Sequence, residues 1–321
     1  MKAIVQDGYG SADVLQLREI DKPVVTEGGV LVRVRAASVN ALDWHSVHGG
    51  KMIQAASILM RQKEQPVRGV DVAGQVEAVG AGVTRFAPGD EVFGGAPAAF
   101  AEYALARESG LVLKPQNMSF EQAAAVSVAG RTALQGLRDK AQVKPGQRVV
   151  ISGAGGGVGT FAVQIAKAFG AHVTAVTSTR NLDMIRSLGP DEVIDYTQED
   201  FTRRDTGYDV VFDVAANRSV ADLMRALKPN GTLVLVGADK RGGLAIFTRI
   251  GGAFARSRLL RQRIVFFVAK ASLDDLIVLK DLIEAGKVCP AIDRTYPLSD
   301  AAEAVRYVGS GQARAKVVIT M

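Results

Sequence analysis

The chain has 321 residues, 48% hydrophobic and 22% charged. That is an ordinary globular balance, and the length suffices for two domains. A formal charge of +6 and a pI near 9.4 give a mildly basic surface, which alone does not select among a phosphorylated cofactor, nucleic acid or an anionic membrane. The single cysteine, Cys289, excludes an intrachain disulfide and fits a reducing compartment, so the expected location is cytoplasmic. No apolar run reaches a bilayer span, and MKAIVQDGYG lacks a signal peptide's apolar core.

In chain order, the first third reads as strands and turns. VLVRVRA (Val30–Ala36) alternates apolar and polar residues, which predicts a half-buried strand. Gly74–Val79 and Asp90–Phe93 are further short strands, with Pro88-Gly89 turning between them. The expectation is an antiparallel, barrel-like β region. Ser119 with Gln122 has the spacing of a capping box opening a helix. Beyond Pro145-Gly146, apolar strands alternate with helices. The strands are Arg148–Ser152, His172–Thr177, Glu192–Asp195, Tyr208–Asp213 and Thr232–Val236; the helices include Val158–Phe169, Leu182–Leu188 and Ala221–Leu227. This alternation predicts a parallel sheet covered on both faces. From about Ala271 come a helix, Pro290 and Pro297, another helix and a strand at Lys316–Thr320. The predicted class is therefore α/β, with a β domain at 1–118, a doubly wound domain at 119–270, and a tail at 271–321 returning to the first.

The segment RVVISGAGGGVGTFAVQIAKAFGA carries the most chemistry. A strand runs into Ala154-Gly155-Gly156-Gly157-Val158-Gly159 and then into a helix with one apolar face at Val158, Phe161, Ala162, Ile165 and Phe169. Gly170 stands where a helix cap belongs. The pattern is the dinucleotide fingerprint with Ala154 in the first slot, Gly156 in the second and Gly159 in the third. Backbone must approach a pyrophosphate at Gly156, and the helix start offers its free N–H groups to the anion. A flexible glycine loop is the bland reading; the flanking strand and amphipathic helix argue against it.

An NAD site usually carries an acid at the end of its second strand. Here HVTAVT is followed by Ser178-Thr179-Arg180-Asn181, with no acid before Asp183. Ser178 and Arg180 can hydrogen-bond and neutralise a 2′-phosphate, and Tyr196, after the third strand, can add its hydroxyl. The expected cofactor is NADPH.

With these motifs in order, the chain resembles the medium-chain dehydrogenase/reductase superfamily, in its zinc-free quinone oxidoreductase (zeta-crystallin-like) branch, close to the reticulon-interacting mitochondrial homologues. The resemblance rests on MKAIVQDGYGSADVLQL, Ser38-Val39-Asn40-Ala41-Leu42-Asp43, GVDVAGQVEAVGAGVTRFAPGDEVFG, AGRTALQGL, the glycine turn, STRN, DEVIDYTQEDF and LKPNGTLVLVG, and spans nearly the whole chain. It implies a GroES-like β-barrel domain followed by a Rossmann domain. It further implies that Asn40 lies near the nicotinamide, that Thr132 contacts the cofactor, and that Val236, Gly237 and the strand Phe266-Phe267-Val268 line the nicotinamide half. Arg131 stands where an apolar residue is expected before Thr132.

The zinc-dependent relatives need cysteine and histidine ligands. Their catalytic cysteine falls close to Asn40, their Gly-His-Glu is matched by Gly69-Val70-Asp71, and the structural cysteine cluster is missing, so no metal is expected. Without a Lewis acid, an unactivated alcohol is a poor substrate, whereas a quinone or enone accepts hydride directly. The proton donor stays open among His45, His48, Lys51 and water. Two competing readings are an enoyl-thioester reductase and a non-catalytic NADPH-binding protein; NADPH consumption with a panel of acceptors separates them. The basic stretch 240–263, with Arg249, Arg256, Arg258, Arg261 and Arg263, reads as an amphipathic lid with a solvated face in preference to a membrane or RNA contact. The expected partners are a small-molecule acceptor and a second copy in a homodimer, with no nucleic acid.

Overall fold

The computed structural model describes residues 1–49, 67–204, 207–236 and 261–321. Lys51, Gly237 and 240–260 of the basic stretch lie outside the described residues. The chain divides into two compact units, Met1–Arg131 with Ala271–Ala285 and Pro290–Met321, and Thr132–Lys270 with Gly286–Cys289.

The first unit is built on a sheet in which β3 (Gly29–Val39) is central. In β3 the predicted alternation holds at its middle: Val32 and Val34 are buried while Arg33 and Arg35 face water. Each buried valine contributes roughly 1.5–3 kcal/mol. β3 pairs antiparallel with β4 (Asp71–Val79), β6 (Tyr103–Arg107) and β15 (Lys316–Thr320). β5 (Glu91–Gly95) and β7 (Leu111–Leu113) extend the sheet beyond β4. β14 (Ile292–Pro297) flanks β15 in the parallel sense, so this sheet is not wholly antiparallel. β1 (Lys2–Gln6) and β2 (Leu15–Glu19) form a separate ladder. The helices α1 (Ala41–His48) and α8 (Ala301–Gly309) pack together, and Val47, Ala304 and Val305 join the valine core.

The expected division at 118/119 is displaced to 131/132. Ser119 and Gln122 do form the capping box, with Gln122 N donating to Ser119 Oγ at 3.2 Å and Ser119 N to Gln122 Oε1 at 3.0 Å. The helix they open, α2 (Phe120–Ala124), packs on β3, β4 and β5, burying Ala123 and Ala124. Apolar burial therefore assigns it to the β unit. The next helix, α3 (Ser127–Gln135), carries the crossing between units.

The second unit is a six-stranded parallel sheet. Its strands are β8 (Arg148–Ser152), β9 (His172–Thr177), β10 (Glu192–Asp195), β11 (Tyr208–Asp213), β12 (Leu227–Leu235) and β13 (Arg263–Phe266). Their order is β10-β9-β8-β11-β12-β13, the doubly wound order in which the chain reverses direction across the sheet between β8 and β11. The helices α4 (Gly157–Ala168), α5 (Leu182–Ser187) and α6 (Val220–Arg225) connect successive strands. Phe161, Ala162 and Ile165 of α4 are buried as the periodicity requires, and Gly170 takes a left-handed φ of 77° past its end. The tail helix α7 (Leu273–Glu284) belongs to the first unit.

The family resemblance implies a strand at Phe266-Phe267-Val268. Phe266-Phe267-Val268 is not a strand: β13 ends at Phe266, with Leu235 opposite it, so the partner strand β12 also stops there. Phe267 and Val268 lie past the ladder, and Val268 is 76% exposed.

Candidate functional site

All six strands of the second unit run the same way, so their carboxyl ends share one edge of the sheet. Ligands of open α/β sheets bind outside that edge, near the point where the winding reverses. The glycine turn follows β8, Ser178 follows β9, Tyr196 follows β10, Val236 follows β12 and Phe267 follows β13. The parallel register thus collects on one edge residues that the sequence scatters over more than a hundred positions.

Within the turn the glycines have different causes. A Cβ on Gly155 would strike Asn181 Nδ2 and sit 2.6 Å from Thr177 Oγ1. On Gly159 it would strike Gly153 O and Ala154. Gly153, which sequence reasoning passed over, holds a φ of 84°, and a Cβ there would meet Ala215 N at 2.8 Å. Packing therefore explains these three. Gly156 is different: its Cβ would meet only Gly153 O, at an ordinary 3.6 Å. The fold does not require glycine there, but a phosphate brought against the backbone does. Gly156 is also the N-cap of α4, whose first N–H groups lack helical acceptors. Gly156, Gly157 and Val158 are only partly covered, while Ala154 is buried beneath them. The turn fits a dinucleotide pyrophosphate.

The neighbouring strand ends bring Ser178 and Tyr196 close, because Thr177 and Asp195 are register partners and Tyr196 N donates to Thr177 O at 3.0 Å. Arg180 is exposed in the turn Thr179–Asn181. Asp195 had escaped sequence reasoning as a neighbour of this loop. Its carboxylate accepts from Thr179 Oγ1 at 2.6 Å and from Thr197 N at 2.9 Å, and these bonds, Thr179 first, hold it below the usual carboxylate range. Asn181 is buried, and among the described residues its Oδ1 has no partner. Thr132 is half-buried on α3.

The first unit holds a second cluster, buried and charged. Asn40 caps α1, and its backbone N–H donates to Asp43 Oδ2 at 2.7 Å. The Asn40 amide is held at both ends: Lys316 Nζ donates to its Oδ1 at 2.7 Å, and its Nδ2 donates to Asp71 Oδ2 at 2.9 Å. Asp71 also accepts from Ser38 Oγ at 2.8 Å and, through Oδ1, from Val128 N at 2.9 Å. Lys316 Nζ lies 3.5 Å from Asp71, with side-chain exposures of 3% and 0%. The strands β3, β4 and β15 deliver these groups side by side. Arg131 lies close by, donating from Nε to Ser127 O at 3.0 Å and from Nη2 to Ser127 Oγ at 2.6 Å. Of this cluster the sequence singled out Asn40 as a site residue; Lys316, Asp71 and Asp43 were missed in that role. His45 and His48 flank Trp44, with ring centroids 4.8 Å and 4.2 Å from it, and His48 faces water.

Burial drives the Lys316 ammonium below its usual value, with Asp71 and Asp43 opposing, and raises the Asp43 carboxyl to about 7. The folded chain therefore keeps the Asp43 proton up to about pH 7, whereas the unfolded chain releases it near ~4. The stability from that proton is fully present below about pH 4 and is lost as pH rises through about 7. Asp43→Asn abolishes the dependence. The expected wild-type-minus-mutant stability falls by a few kcal/mol, in order of magnitude, between about pH 4 and 7. Urea midpoints of both proteins across this range check it; a constant difference would show that Asp43 is already ionised.

A family model described as "Alcohol dehydrogenase GroES-like domain" matches residues 26–116, and one described as "Zinc-binding dehydrogenase" matches residues 188–319. The chain is 35% identical over 335 residues to the NADPH-dependent alkenal/one oxidoreductase, chloroplastic, of Arabidopsis thaliana, covering 99% of this chain and 79% of the relative. It is 34% identical over 357 residues to the NAD(P)H oxidoreductase RTN4IP1, mitochondrial, of Mus musculus, covering 100% and 89%. The solved quinone oxidoreductase from Coxiella burnetii superposes with a TM-score of 0.86 at 30% identity, covering 100% of this chain and 99% of that one. No helix of the described residues is long and apolar enough to cross a membrane.

Proposed function

Because the chain belongs to the medium-chain dehydrogenase/reductase superfamily, in its quinone oxidoreductase branch, we propose that it transfers hydride from NADPH to a quinone or an α,β-unsaturated carbonyl. The observation that carries this reading is Gly156, a glycine with no packing reason, set at the carboxyl edge of a doubly wound parallel sheet. The relatives' activities point to the same acceptors. NADPH supplies the hydride. Residues of this chain bind and orient: Ala154, Gly155, Gly156, Gly157, Val158 and Gly159 take the pyrophosphate, and Ser178, Arg180 and Tyr196 take the 2′-phosphate. Thr132, Val236, Phe266, Phe267 and Val268 serve the nicotinamide half; Phe266, 46% exposed, and Val268 leave apolar surface for a ring. Gly237 is read in the same role, though it lies outside the described residues.

Asn40 serves the acceptor in this reading. Its amide is clamped between Lys316 and Asp71, so its orientation is set before substrate arrives. The reaction is read as metal-free because Asn40 and Val70 stand where the zinc enzymes keep ligands. The lone cysteine, Cys289, is exposed, which suits a reducing compartment such as the cytoplasm.

The test is turnover of chelator-treated protein with a quinone and an enone, using NADPH or NADH, for wild type and Arg180→Ala. Wild type is expected to consume NADPH with both acceptors. Arg180→Ala should weaken NADPH by about 1.5–3 kcal/mol, the worth of a charge-assisted hydrogen bond, and leave NADH nearly unchanged. Equal weakening of both cofactors would remove the 2′-phosphate assignment. Activity restored only by added zinc would remove the metal-free one.

A further inference from the structure

We propose that Arg131 is a binding residue for the acceptor's oxygen, taking the negative charge that develops there when hydride arrives. This rests on the hydride-transfer reading above. The starting point is a departure in the sequence: a guanidinium stands just before Thr132, where an apolar side chain was expected. Arg131 is 6% exposed, and a buried cation without a carboxylate is costly. Among the described residues it makes no ion pair within 4.0 Å. Its hydrogen bonds both go to Ser127, from Nε and Nη2, so the Nη1 edge is uncommitted. Guanidinium has five N–H donors in a planar fork, and that edge is shaped for a single oxygen or a carboxylate.

The neighbouring acids do not take the edge. Asp71 is saturated by Ser38, Asn40, Val128 and Lys316. Asp43 accepts the Asn40 N–H, and Asp275 acts on Arg131 only through its field. Arg131 and Lys316 face Asp71 and Asp275, with Asp43 a third acid whose proton burial holds up to about pH 7. In this buried, low-dielectric setting the open edge of the guanidinium acts strongly on an anion.

The position also has a chemical sense. A Cβ on Gly95 would lie 3.5 Å from Arg131 Nη2 and 3.8 Å from Val70 O. Arg131 and Val70, the residue matched to a histidine of the zinc enzymes, thus both border the space above Gly95. When an enone is reduced, hydride from NADPH forms a C–H bond at the β-carbon and leaves NADP+. The carbon–carbon π pair shifts, the carbonyl π pair moves onto oxygen, and the resulting enolate takes a proton from water. For a quinone, hydride arriving at one carbonyl oxygen sends the ring π pairs onto the other oxygen, giving the hydroquinone monoanion, a phenolate. Both anions present one oxygen to Nη1.

The probe is 4-nitrophenolate, a stable aromatic oxyanion whose absorption reports its ionisation. It is titrated against wild type, Arg131→Leu, Arg131→Gln and Arg131→Lys, with melting temperatures and NADPH affinity measured alongside. Wild type is expected to bind the phenolate and lower the apparent pKa of nitrophenol. The leucine and glutamine variants should bind it about tenfold more weakly or worse. With an enone they should lose about 100-fold in kcat/KM at unchanged NADPH affinity, and the lysine variant should recover part of both. If leucine fails to fold, the glutamine variant carries the comparison. Phenolate binding and turnover per folded molecule that are the same in wild type and glutamine variant would overturn the proposal, as would a wild type that binds no phenolate. Arg131-dependent phenolate binding by a wild type that reduces no acceptor would instead uphold the oxyanion site and sink the hydride-transfer reading.

Discussion

Gly156→Val is expected to abolish NADPH binding in a chain that folds and melts almost as wild type does. The expectation follows from the space around the residue. An added Cβ meets only Gly153 O at 3.6 Å, so the turn itself accepts a side chain. A β-branched side chain would occupy the position where phosphate oxygens approach the backbone N–H groups of α4. Losing that approach costs several charge-assisted hydrogen bonds at once, each about 1.5–3 kcal/mol, enough to move binding out of a measurable range. Gly155→Val is the contrasting control. There the Cβ collides with Asn181 and Thr177, so the fold should suffer together with binding. Fluorescence titration with NADPH and a thermal melt of each variant distinguish the two. A stable Gly156→Val protein with normal NADPH affinity would mean that the turn is not the cradle.

Lys316→Met is expected to destabilise the first unit by about 3–5 kcal/mol, because it strands the buried Asp71 carboxylate. The ammonium sits 2.7 Å from Asn40 Oδ1 and 3.5 Å from Asp71, and both partners of the ion pair are buried. The double variant Lys316→Met with Asp71→Asn removes both charges and should regain a large part of that loss. Urea unfolding of wild type, both singles and the double measures the coupling. A double variant no more stable than Lys316→Met alone would show that the pair does not interact as its geometry implies. The singles should also release the Asn40 amide, so turnover with an enone should fall further than NADPH affinity does.

The second unit was legible in the sequence because its information is local. Strand, glycine turn and helix follow one another within 24 residues, and the short apolar runs give β8, β9, β10 and β11 at their observed bounds, while the predicted Thr232–Val236 covers only the end of β12. The strand that the family resemblance implied at Phe266-Phe267-Val268 stops at its first residue because the ladder ends where β12 ends. The first unit's cluster was not legible, for a different reason. Ser38, Asp71, Val128 and Lys316 come from four distant segments, and a lone lysine or aspartate reads as surface. Asn40 and Asp43 did carry a signal, the three-residue spacing of a capping box, and that bond is present. Pairing β15 with β3 was the missing step, and only the register of Val317 with Val39 supplies it.

That pairing also has a consequence for how the protein is made. Asn40 and Lys316 are 276 residues apart, and β15 meets β3 at Ala36–Val39. At ~5–20 residues per second, a ribosome needs about 10–50 s after Asp71 emerges to deliver its cation. Through that interval the Ala36–Val39 side of β3 is an open strand edge, and the carboxylate has no ammonium to sit against. The second unit's strands, Arg148–Phe266, leave the ribosome earlier than β15 and need nothing from it. The nascent chain therefore carries a unit able to close beside one still waiting for its strand. Chaperone binding during synthesis is expected to concentrate on the first, and a chain stopped short of Lys316 is marked for removal by the very edge it leaves uncovered.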